Sequence, residues 1–218
     1  MKKIQIVLLA AGNSTRFGEA KLLADYHGKP MMIYALTLAA TVKDNLHRMN
    51  ESAIKKMSGT DKTHTGAEIT GITVVSAHEQ IRAFCDKMGG ISYIENLHSE
   101  WGISYSIRLA LENLQCTETD AVLFMVCDQP ELSAKSVTEM IGNYADQEKP
   151  LACMYHEETG EVGNPCIFAK DFFSELLKLS GDVGGRKILR QHMEQVYLYQ
   201  IEDANELCDI DTKTDILV

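Results

Sequence analysis

The sequence lacks the cysteine spacings that mark small metal-binding or redox proteins. Its six cysteines form no CxxC pair, and none stands at the spacing from histidine that is typical of a zinc site. A chain of 218 residues can bury a full core without disulfide bonds. We therefore expect reduced, mostly buried thiols, and we expect the seven histidines to be surface or packing residues.

Positive charge is also scarce, since 21 basic residues face 31 acidic ones and the formal net charge is −10. This charge opposes the sequence-independent attraction to phosphate on which most nucleic-acid binders depend. The composition therefore argues against a nucleic-acid partner. A small polyanionic ligand would need a locally positive loop and a divalent cation to offset the charge of the protein itself.

Long apolar runs are absent as well, because no segment approaches the roughly eighteen consecutive apolar residues of a membrane span. The N-terminal MKKIQIVLLAAG imitates a signal peptide, but Gln5 interrupts its short apolar run. Cleavage there would also destroy the loop that carries the chemistry described below. We expect a cytoplasmic protein that does not associate with membranes.

Short apolar runs alternate with helical patterns along the chain, which indicates βα units in a mostly parallel sheet. The predicted strands are residues 4–10, 72–76, 91–95, 121–127, 151–155, 165–169 and 196–201. The first and fourth lack polar alternation and should be central, with both faces covered. The predicted helices are residues 30–42, 101–114, 134–144, 171–179 and 185–193. The stretch EETGEVGN should be a turn that joins an antiparallel pair.

We expect one domain over residues 1–218, with an insertion at residues 43–71. This connection is far longer than the roughly two to six residues that a tight helix-to-strand link needs. Leu46, Met49 and Ala53 continue the helical spacing, and a polar stretch with the composition of a mobile loop follows. A surface insertion is the favoured interpretation, and a lid or a subunit contact is the alternative.

The loop GNSTRFG follows the first strand and places Gly12 and Gly18 six residues apart. It matches neither the phosphate loop of nucleotide hydrolases nor the GxGxxG fingerprint of dinucleotide-binding folds. Its backbone amides could still surround phosphate oxygens, and Arg16 and Lys21 would add fixed positive charge. The pattern predicts a phosphate cradle of another type, with an ordinary surface loop as the alternative.

Carboxylates stand at two further places where a metal could bind. Asp128, in VCDQPEL, directly follows the fourth strand, and the carboxyl end of a parallel strand faces the crevice where α/β sheets bind ligands. Asp209 and Asp211 occupy alternate positions of an extended C-terminal piece. Two such carboxylates could hold Mg²⁺ against a triphosphate. The alternatives are a turn residue and an acidic chain end.

Residues 8–23, LLAAGNSTRFGEAKLL, resemble the signature LAAGxSxRMGxxK of the MobA-like nucleotidyltransferases. Five further segments resemble family motifs in the right order: GISYSIRLAL, VCDQPEL, GNP, GDVGGR and DIDT. The branch that the chain resembles most is molybdenum cofactor cytidylyltransferase, because Ala11 stands where the guanylyltransferase branch usually has glycine. The resemblance implies a three-layer Rossmann-like α/β fold, with helices on both faces of a mostly parallel sheet.

The resemblance also implies a reaction, in which a phosphate of molybdopterin attacks the α-phosphorus of CTP and pyrophosphate leaves. It assigns catalysis to Arg16, Lys21 and Asp128, and Mg²⁺ to Asp128 and Asp211, with Asp209 less favoured than Asp211. The implied nucleotide-binding residues are Leu9, Ala10, Ala11, Gly12, Asn13, Ser14, Arg16, Lys21 and Ser106.

For the phosphate-bearing acceptor, the resemblance implies contacts at Gly163, Asn164 and Pro165, with Asp182 and Arg186 ordering the same rim. A molybdenum hydroxylase apoenzyme is a further partner to test. The chain departs from the family at Phe17, at SAH in residues 76–78 and at the insertion. These departures leave two alternatives open: transfer to a sugar or polyol phosphate, and a non-catalytic nucleotide-binding or cofactor-binding chaperone.

Overall fold

Seven strands form the central sheet of the molecule. The computed structural model describes residues 1–12, 17, 20–56, 66–114 and 118–216, with side chains except at residues 54–56. The strands of this sheet are β1 (Lys2–Leu9), β4 (Ala67–Ser76), β5 (Ile91–Glu95), β6 (Ala121–Val126), β7 (Leu151–His156), β8 (Glu161–Ala169) and β9 (Val196–Gln200). Two short strands, β2 (Asp25–Tyr26) and β3 (Lys29–Pro30), form a separate hairpin.

The helices of the described residues lie between these strands. They are α1 (Met31–Lys56), α2 (Glu79–Met88), α3 (Ile103–Leu114), α4 (Ala134–Ala145), α5 (Phe173–Leu176) and α6 (Arg186–Gln191). The strand order in the sheet is β5-β4-β1-β6-β8-β7-β9. Strand β8 runs antiparallel to β6 and β7, and the other pairings are parallel. The predicted mostly parallel sheet with an antiparallel element is therefore confirmed.

Strand β1 is buried on both faces over most of its length, as its mainly apolar sequence after Lys3 predicts. Ile4, Ile6 and Leu8 belong to a core cluster that also contains side chains of α1, α2 and α4. Val7 belongs to a second cluster, which contains side chains of α3, α5 and α6. Helices therefore cover both faces of the sheet, and the three-layer α/β fold is confirmed.

The structure assigns both ends of the predicted insertion, residues 43–71, to regular elements. Helix α1 continues to Lys56, and β4 begins at Ala67, five positions before the predicted start of that strand at residue 72. The side-chain amide of Asn50 donates to the carbonyl of Ala67 at 2.8 Å, which ties the helix to the strand. The helical spacing after residue 42 is thus part of α1, and the end of the expected insertion belongs to β4. Most of the expected polar loop falls in residues 57–65, which lie outside the described residues.

Three predicted helices are shorter than expected, and one helix was missed. Helix α3 begins at residue 103, while residues 99–101 form a 3₁₀ turn. The segments predicted at 171–179 and 185–193 shrink to α5 and α6, flanked by 3₁₀ turns. Helix α2 buries Ile81 and Cys85, a sparse apolar face that explains why the sequence pattern did not reveal it.

The cysteines of the described residues are free, and four of the five are buried. Burial raises the pKa of Cys85 to about 11 and that of Cys153 to about 12. These thiols are therefore protonated packing groups at neutral pH, as expected. The described helices include none that is long and apolar enough to cross a bilayer.

Candidate active site

A cleft of about 590 Å³ opens at the carboxyl ends of β1 and β6. These strands are neighbours in the sheet, so the segments that follow them lie side by side. The lining includes residues 9, 11–12, 21–22, 99–103, 126–128, 181–182 and 211. The cleft lies where open α/β sheets bind ligands, and its walls come from distant parts of the chain.

Lys21 joins the two carboxylates that the sequence analysis selected. Its Nζ donates to Asp128 Oδ2 at 2.7 Å and to Asp211 Oδ1 at 3.4 Å. The Lys21 side chain is only 12% exposed, so this ammonium is held in a partly dry environment. Burial alone would lower the pKa of Lys21, but the attraction of Asp128 and Asp211 outweighs it and raises that pKa. Lys21 is therefore a fixed positive charge at neutral pH.

Asp128 also has an oxygen that nothing in the described residues satisfies. Its Oδ1 is buried and has no hydrogen-bond partner there, although buried carboxylate oxygens are normally paired. An oxygen of this kind is a suitable ligand for a hard divalent cation, and Asp211 supplies a second carboxylate nearby. The described residues hold no cluster of three or more His, Cys, Asp or Glu side chains arranged for a metal. A cation would therefore share its coordination with a ligand or water.

The C-terminal segment reaches this cleft because several hydrogen bonds anchor it. The amide of Ile210 donates to the carbonyl of Asp128 at 2.9 Å, and the Gln129 side chain donates to the carbonyl of Leu207 at 3.0 Å. Buried Glu206 accepts hydrogen bonds from the Ser133 amide at 3.0 Å and from the Ser136 hydroxyl at 2.9 Å. Glu206 thus fastens the segment to the start of α4, and this fixes the position of Asp211.

Asp209 lies beside the same carboxylate pair. Burial is the main cause that raises the pKa of Asp209 to about 6, and repulsion from the Asp128 carboxylate adds to it. Arg186 and Gln129 oppose this rise. In contrast to Asp211, Asp209 forms no ion pair with Lys21 among the described residues. The preference for Asp211 as the second metal ligand stays a prediction, and this geometry supports it.

A family model for the MobA-like NTP transferase domain matches residues 6–196. The chain belongs to the MobA-like NTP transferase family. It is therefore a nucleotidyltransferase. A probable molybdenum cofactor guanylyltransferase from Bacillus cereus (strain AH820) is 24% identical over 172 residues, which cover 74% of this chain and 72% of that protein.

Solved structures share the fold of this MobA-like chain. The protein Rv0371c from Mycobacterium tuberculosis H37Rv superposes with a TM-score of 0.71 at 21% identity, covering 98% of this chain and 96% of that one. A manganese complex of Rv0371c gives a TM-score of 0.67 at 20% identity, with coverages of 99% and 96%. A CMP:2-keto-3-deoxy-manno-octonic acid synthetase complexed with CTP gives 0.64 at 13% identity, with coverages of 98% and 95%.

Several residues that match the MobA-like signature lie in the cleft together. Leu9, Ala11, Gly12 and Ser106 contribute to its lining. Ala10 is fully buried beneath it, and its amide donates to the carbonyl of Val75 at 2.8 Å. Asn13, Ser14 and Arg16 lie outside the described residues. The nucleotide-binding roles of all these residues stay predictions.

The segment that matches the acceptor motif of the family lies within a strand. Gly163, Asn164 and Pro165 belong to β8, since the turn after β7 occupies residues 157–160. The residues that line the cleft include none of the three. A Cβ on Gly163 would lie 3.5 Å from Arg186 Nη2, and Arg186 Nε is buried without a hydrogen-bond partner in the described residues. The motif therefore adjoins a guanidinium whose Nε has no hydrogen-bond partner among the described residues, and its role in acceptor binding stays a prediction.

One wall of the cleft depends on a glycine contact that the sequence analysis missed. Gly102 has φ +83°, and a Cβ there would lie 2.4 Å from the backbone of Gly181. The amide of Ser104 donates to the carbonyl of Gly181 at 3.2 Å. The segments WGIS and GDVGGR thus pack backbone against backbone. No local pattern in either segment names the other as its partner, so this contact required the structure.

Replacing Gly102 by alanine should lower the free energy of unfolding by about 2 to 4 kcal/mol, because the left-handed backbone and the overlap with Gly181 both add strain. Gly160→Ala is the matched control. Gly160 has a similar φ of +65°, but a Cβ there meets no atom of the described residues within 4 Å. Urea unfolding followed by circular dichroism would measure both variants. Equal stability of the two variants would contradict the proposed close contact.

Proposed function

We propose that this enzyme transfers CMP from CTP to the phosphate of molybdopterin and releases pyrophosphate, with Mg²⁺ as its cation. The observation that carries the proposal is the arrangement of Lys21 between Asp128 and Asp211, in a cleft at the carboxyl ends of β1 and β6. The curated relative, a molybdenum cofactor guanylyltransferase, supports the acceptor. Ala11 and the CTP complex of a structural neighbour support the nucleotide.

The reaction needs charge neutralisation and alignment more than proton transfer. An oxygen of the acceptor phosphate forms a bond to the α-phosphorus, the bond from that phosphorus to the bridging oxygen breaks, and pyrophosphate takes the electron pair. The acceptor phosphate is already ionised at neutral pH, so no protein base is required. Lys21, pre-positioned and charged, offsets the charge that develops at the α-phosphate, and Arg16 holds the outer phosphates.

The cation would be held by Asp128 and Asp211. When bound, it supplies neutralisation of the triphosphate charge in a protein that is itself acidic. Asp128 Oδ1, which is buried and has no hydrogen-bond partner in the part of the chain that the structure describes, supports this assignment. Mg²⁺ is the proposed ion because carboxylates and phosphates are its preferred ligands, and the manganese complex of a structural neighbour makes Mn²⁺ the ion to compare.

The acceptor would approach from the side of Gly163, Asn164 and Pro165. Arg186 supports this assignment, because its buried Nε has no partner in the described residues and its Nη2 lies close to Gly163. An anionic group of the acceptor could satisfy a guanidinium of this kind. A molybdenum hydroxylase apoenzyme stays a prediction of the resemblance alone.

Transfer of GMP is the second candidate, because the curated relative is named a guanylyltransferase. Pyrophosphate release with each of the four NTPs, in the presence of Mg²⁺ and molybdopterin, would decide between the two. We expect release with CTP, and only when the pterin is present. The discrimination should come from pocket groups that pair with the edge of the base, since a wrong base leaves buried polar groups unpaired.

The other outcomes are equally informative. Release with GTP instead of CTP would make the enzyme a guanylyltransferase and remove the argument from Ala11. Release with CTP and a sugar phosphate, but not with the pterin, would contradict the acceptor. The same assay with Mn²⁺ in place of Mg²⁺ would test the identity of the cation.

A further inference from the structure

An aromatic cluster stands at the mouth of the cleft and has no part in the reaction described above. Trp101 lines the cleft and is 52% exposed. The His98 ring stacks on the indole, with centroids 4.2 Å apart and planes 7° from parallel. Tyr105 contacts the indole edge-on at 4.7 Å. About half of the surface of this tryptophan is thus exposed beside a cleft that contains a lysine and two carboxylates.

The position of the indole is fixed by its own segment. The amide of Trp101 donates to the carbonyl of His98 at 3.0 Å, and the amide of His98 donates to Asn96 Oδ1 at 2.9 Å. The side-chain amide of the same Asn96 donates to Ser106 Oγ at 2.9 Å. Asn96 thus connects the aromatic cluster to a hydroxyl inside the cleft. The contact of Gly102 with Gly181 holds the other end of the segment.

This arrangement is suited to a planar ligand. Trp and His already form one parallel stack, and an indole surface that stays exposed can accept a further ring by the same contact. Base-to-aromatic stacking tolerates any base, because every base has a flat π-face. An exposed tryptophan that merely filled space would not need a stacked partner and an anchored backbone. The cleft thus combines cationic and acidic groups at one wall with an aromatic surface at another.

We propose that Trp101 is a stacking platform for a planar heteroaromatic ring bound in the cleft. The inference rests on the proposed function, which offers two sources of such a ring: the base of the nucleotide and the pterin of the acceptor. The chemistry of recognition is the same for both. The experiment below is designed to distinguish them.

The sequence contains a single tryptophan, so intrinsic tryptophan fluorescence reports on Trp101 alone. Titrations with CTP, GTP, inorganic tripolyphosphate and a phosphate-free pterin, each with Mg²⁺, separate ring from phosphate. We expect saturable quenching by a ring-bearing ligand and none by tripolyphosphate. Quenching by nucleotides assigns the platform to the base, and quenching by pterin alone assigns it to the acceptor. Titration of free N-acetyltryptophanamide with the same ligands measures the fluorescence that is lost through ligand absorption alone, and this loss is subtracted.

Calorimetry on the same samples separates the two proposals. Binding of CTP and of the pterin without any quenching would overturn the platform and leave the proposed function standing. Absence of all binding would overturn both. Quenching by tripolyphosphate as strongly as by CTP would show that Trp101 senses phosphate or a movement of the loop, and it would also overturn the platform.

The Trp101→Leu variant should raise the KM of the ring-bearing substrate about 10-fold, with kcat changed by less than about threefold, because stacking contributes to binding. Trp101→Phe should retain most of the affinity. Leu97→Ala is the matched control, since Leu97 is 73% exposed in the same segment and does not line the cleft. An unchanged KM for both substrates in a folded Trp101→Leu variant would contradict the proposal.

Discussion

Turnover should fall by about 10²-fold or more when Asp128 is replaced by asparagine, a substitution that preserves shape and removes charge. The fold should survive, because asparagine can still accept the hydrogen bond that Lys21 donates to Asp128 Oδ2 at 2.7 Å. The loss should appear in kcat, since the carboxylate contributes to a site where charge develops during transfer. Steady-state pyrophosphate release would measure it.

The Asp128→Asn variant should also require a higher Mg²⁺ concentration than the wild type to reach half of its maximal rate. Asp128 Oδ1 is buried and unpartnered in the described residues, so it is the strongest candidate for a direct ligand. Asp211 is 58% exposed on its side chain and lies farther from Lys21, at 3.4 Å. We therefore expect Asp211→Asn to raise the Mg²⁺ concentration for half-maximal rate by a smaller factor. Magnesium titrations of both variants would establish the order.

A matched control comes from the opposite end of the same strand. Asp120 precedes β6, is exposed, and accepts a hydrogen bond from the Lys3 amide far from the cleft. Asp120→Asn should leave turnover and the magnesium requirement unchanged. Full activity of Asp128→Asn, with an unaltered response to Mg²⁺, would refute the assignment of this carboxylate.

The fold was predictable because two strands carry an unmistakable pattern. β6 is apolar throughout and β1 is apolar from Ile4 onward except at Gln5, and a strand covered on both faces can bury such sequences. The antiparallel position of β8 was also predictable, since EETGEVGN is too short for a crossover between parallel strands. Both features are visible in short, continuous stretches of the sequence and need no information about distant residues.

The start of β4 was hidden although its signal is present. Ala67 and Ile69 are buried while Glu68 and Thr70 are exposed, which is the alternation of a strand with one covered face. The polar segment before it has the composition of a loop, and that composition dominated the interpretation. The predicted turn EETGEVGN was too long for a similar reason, because its last four residues have a turn-like composition and yet lie within β8.

The sequence could name candidates for the site, but it could not show which of their side chains meet. Lys21 is 107 positions from Asp128 and 190 positions from Asp211. The strand-end rule places Asp128, but only the hydrogen bond of Ile210 to the Asp128 carbonyl brings the C-terminus beside it. The anchoring role of Glu206 has no sequence signal at all, since a buried glutamate is identified by its partners. Local patterns name candidates, and tertiary contacts decide which of them meet.

Replacement of Lys21 by methionine should also reduce kcat by about 10²-fold, because a fixed cation close to the reacting phosphate is lost. Methionine keeps much of the apolar stem that the partly buried lysine contributes to packing. Lys21 has a raised pKa, so its charge persists across the neutral and mildly alkaline range. We therefore expect no loss of wild-type activity between about pH 7 and pH 9 that stems from Lys21.

The response to magnesium should separate this variant from Asp128→Asn. In the structure the Lys21 ammonium competes for the carboxylates of Asp128 and Asp211, which it contacts at 2.7 and 3.4 Å. Its removal leaves two negative groups without their shared cation, so Mg²⁺ should bind more tightly while turnover collapses. Half-saturation by Mg²⁺ should thus shift downward in Lys21→Met and upward in Asp128→Asn.

Lys29→Met provides the control, because Lys29 is an exposed lysine in the nearby hairpin strand β3 and does not line the cleft. It should match the wild type in turnover and in its magnesium response. If Lys21→Met instead required more Mg²⁺, the lysine would be supporting the cation site and not competing with it. The salt bridges of Lys21 would then serve to position Asp128 and Asp211 for the cation, and the charge at the reacting phosphate would have to come from Arg16 and the loop amides.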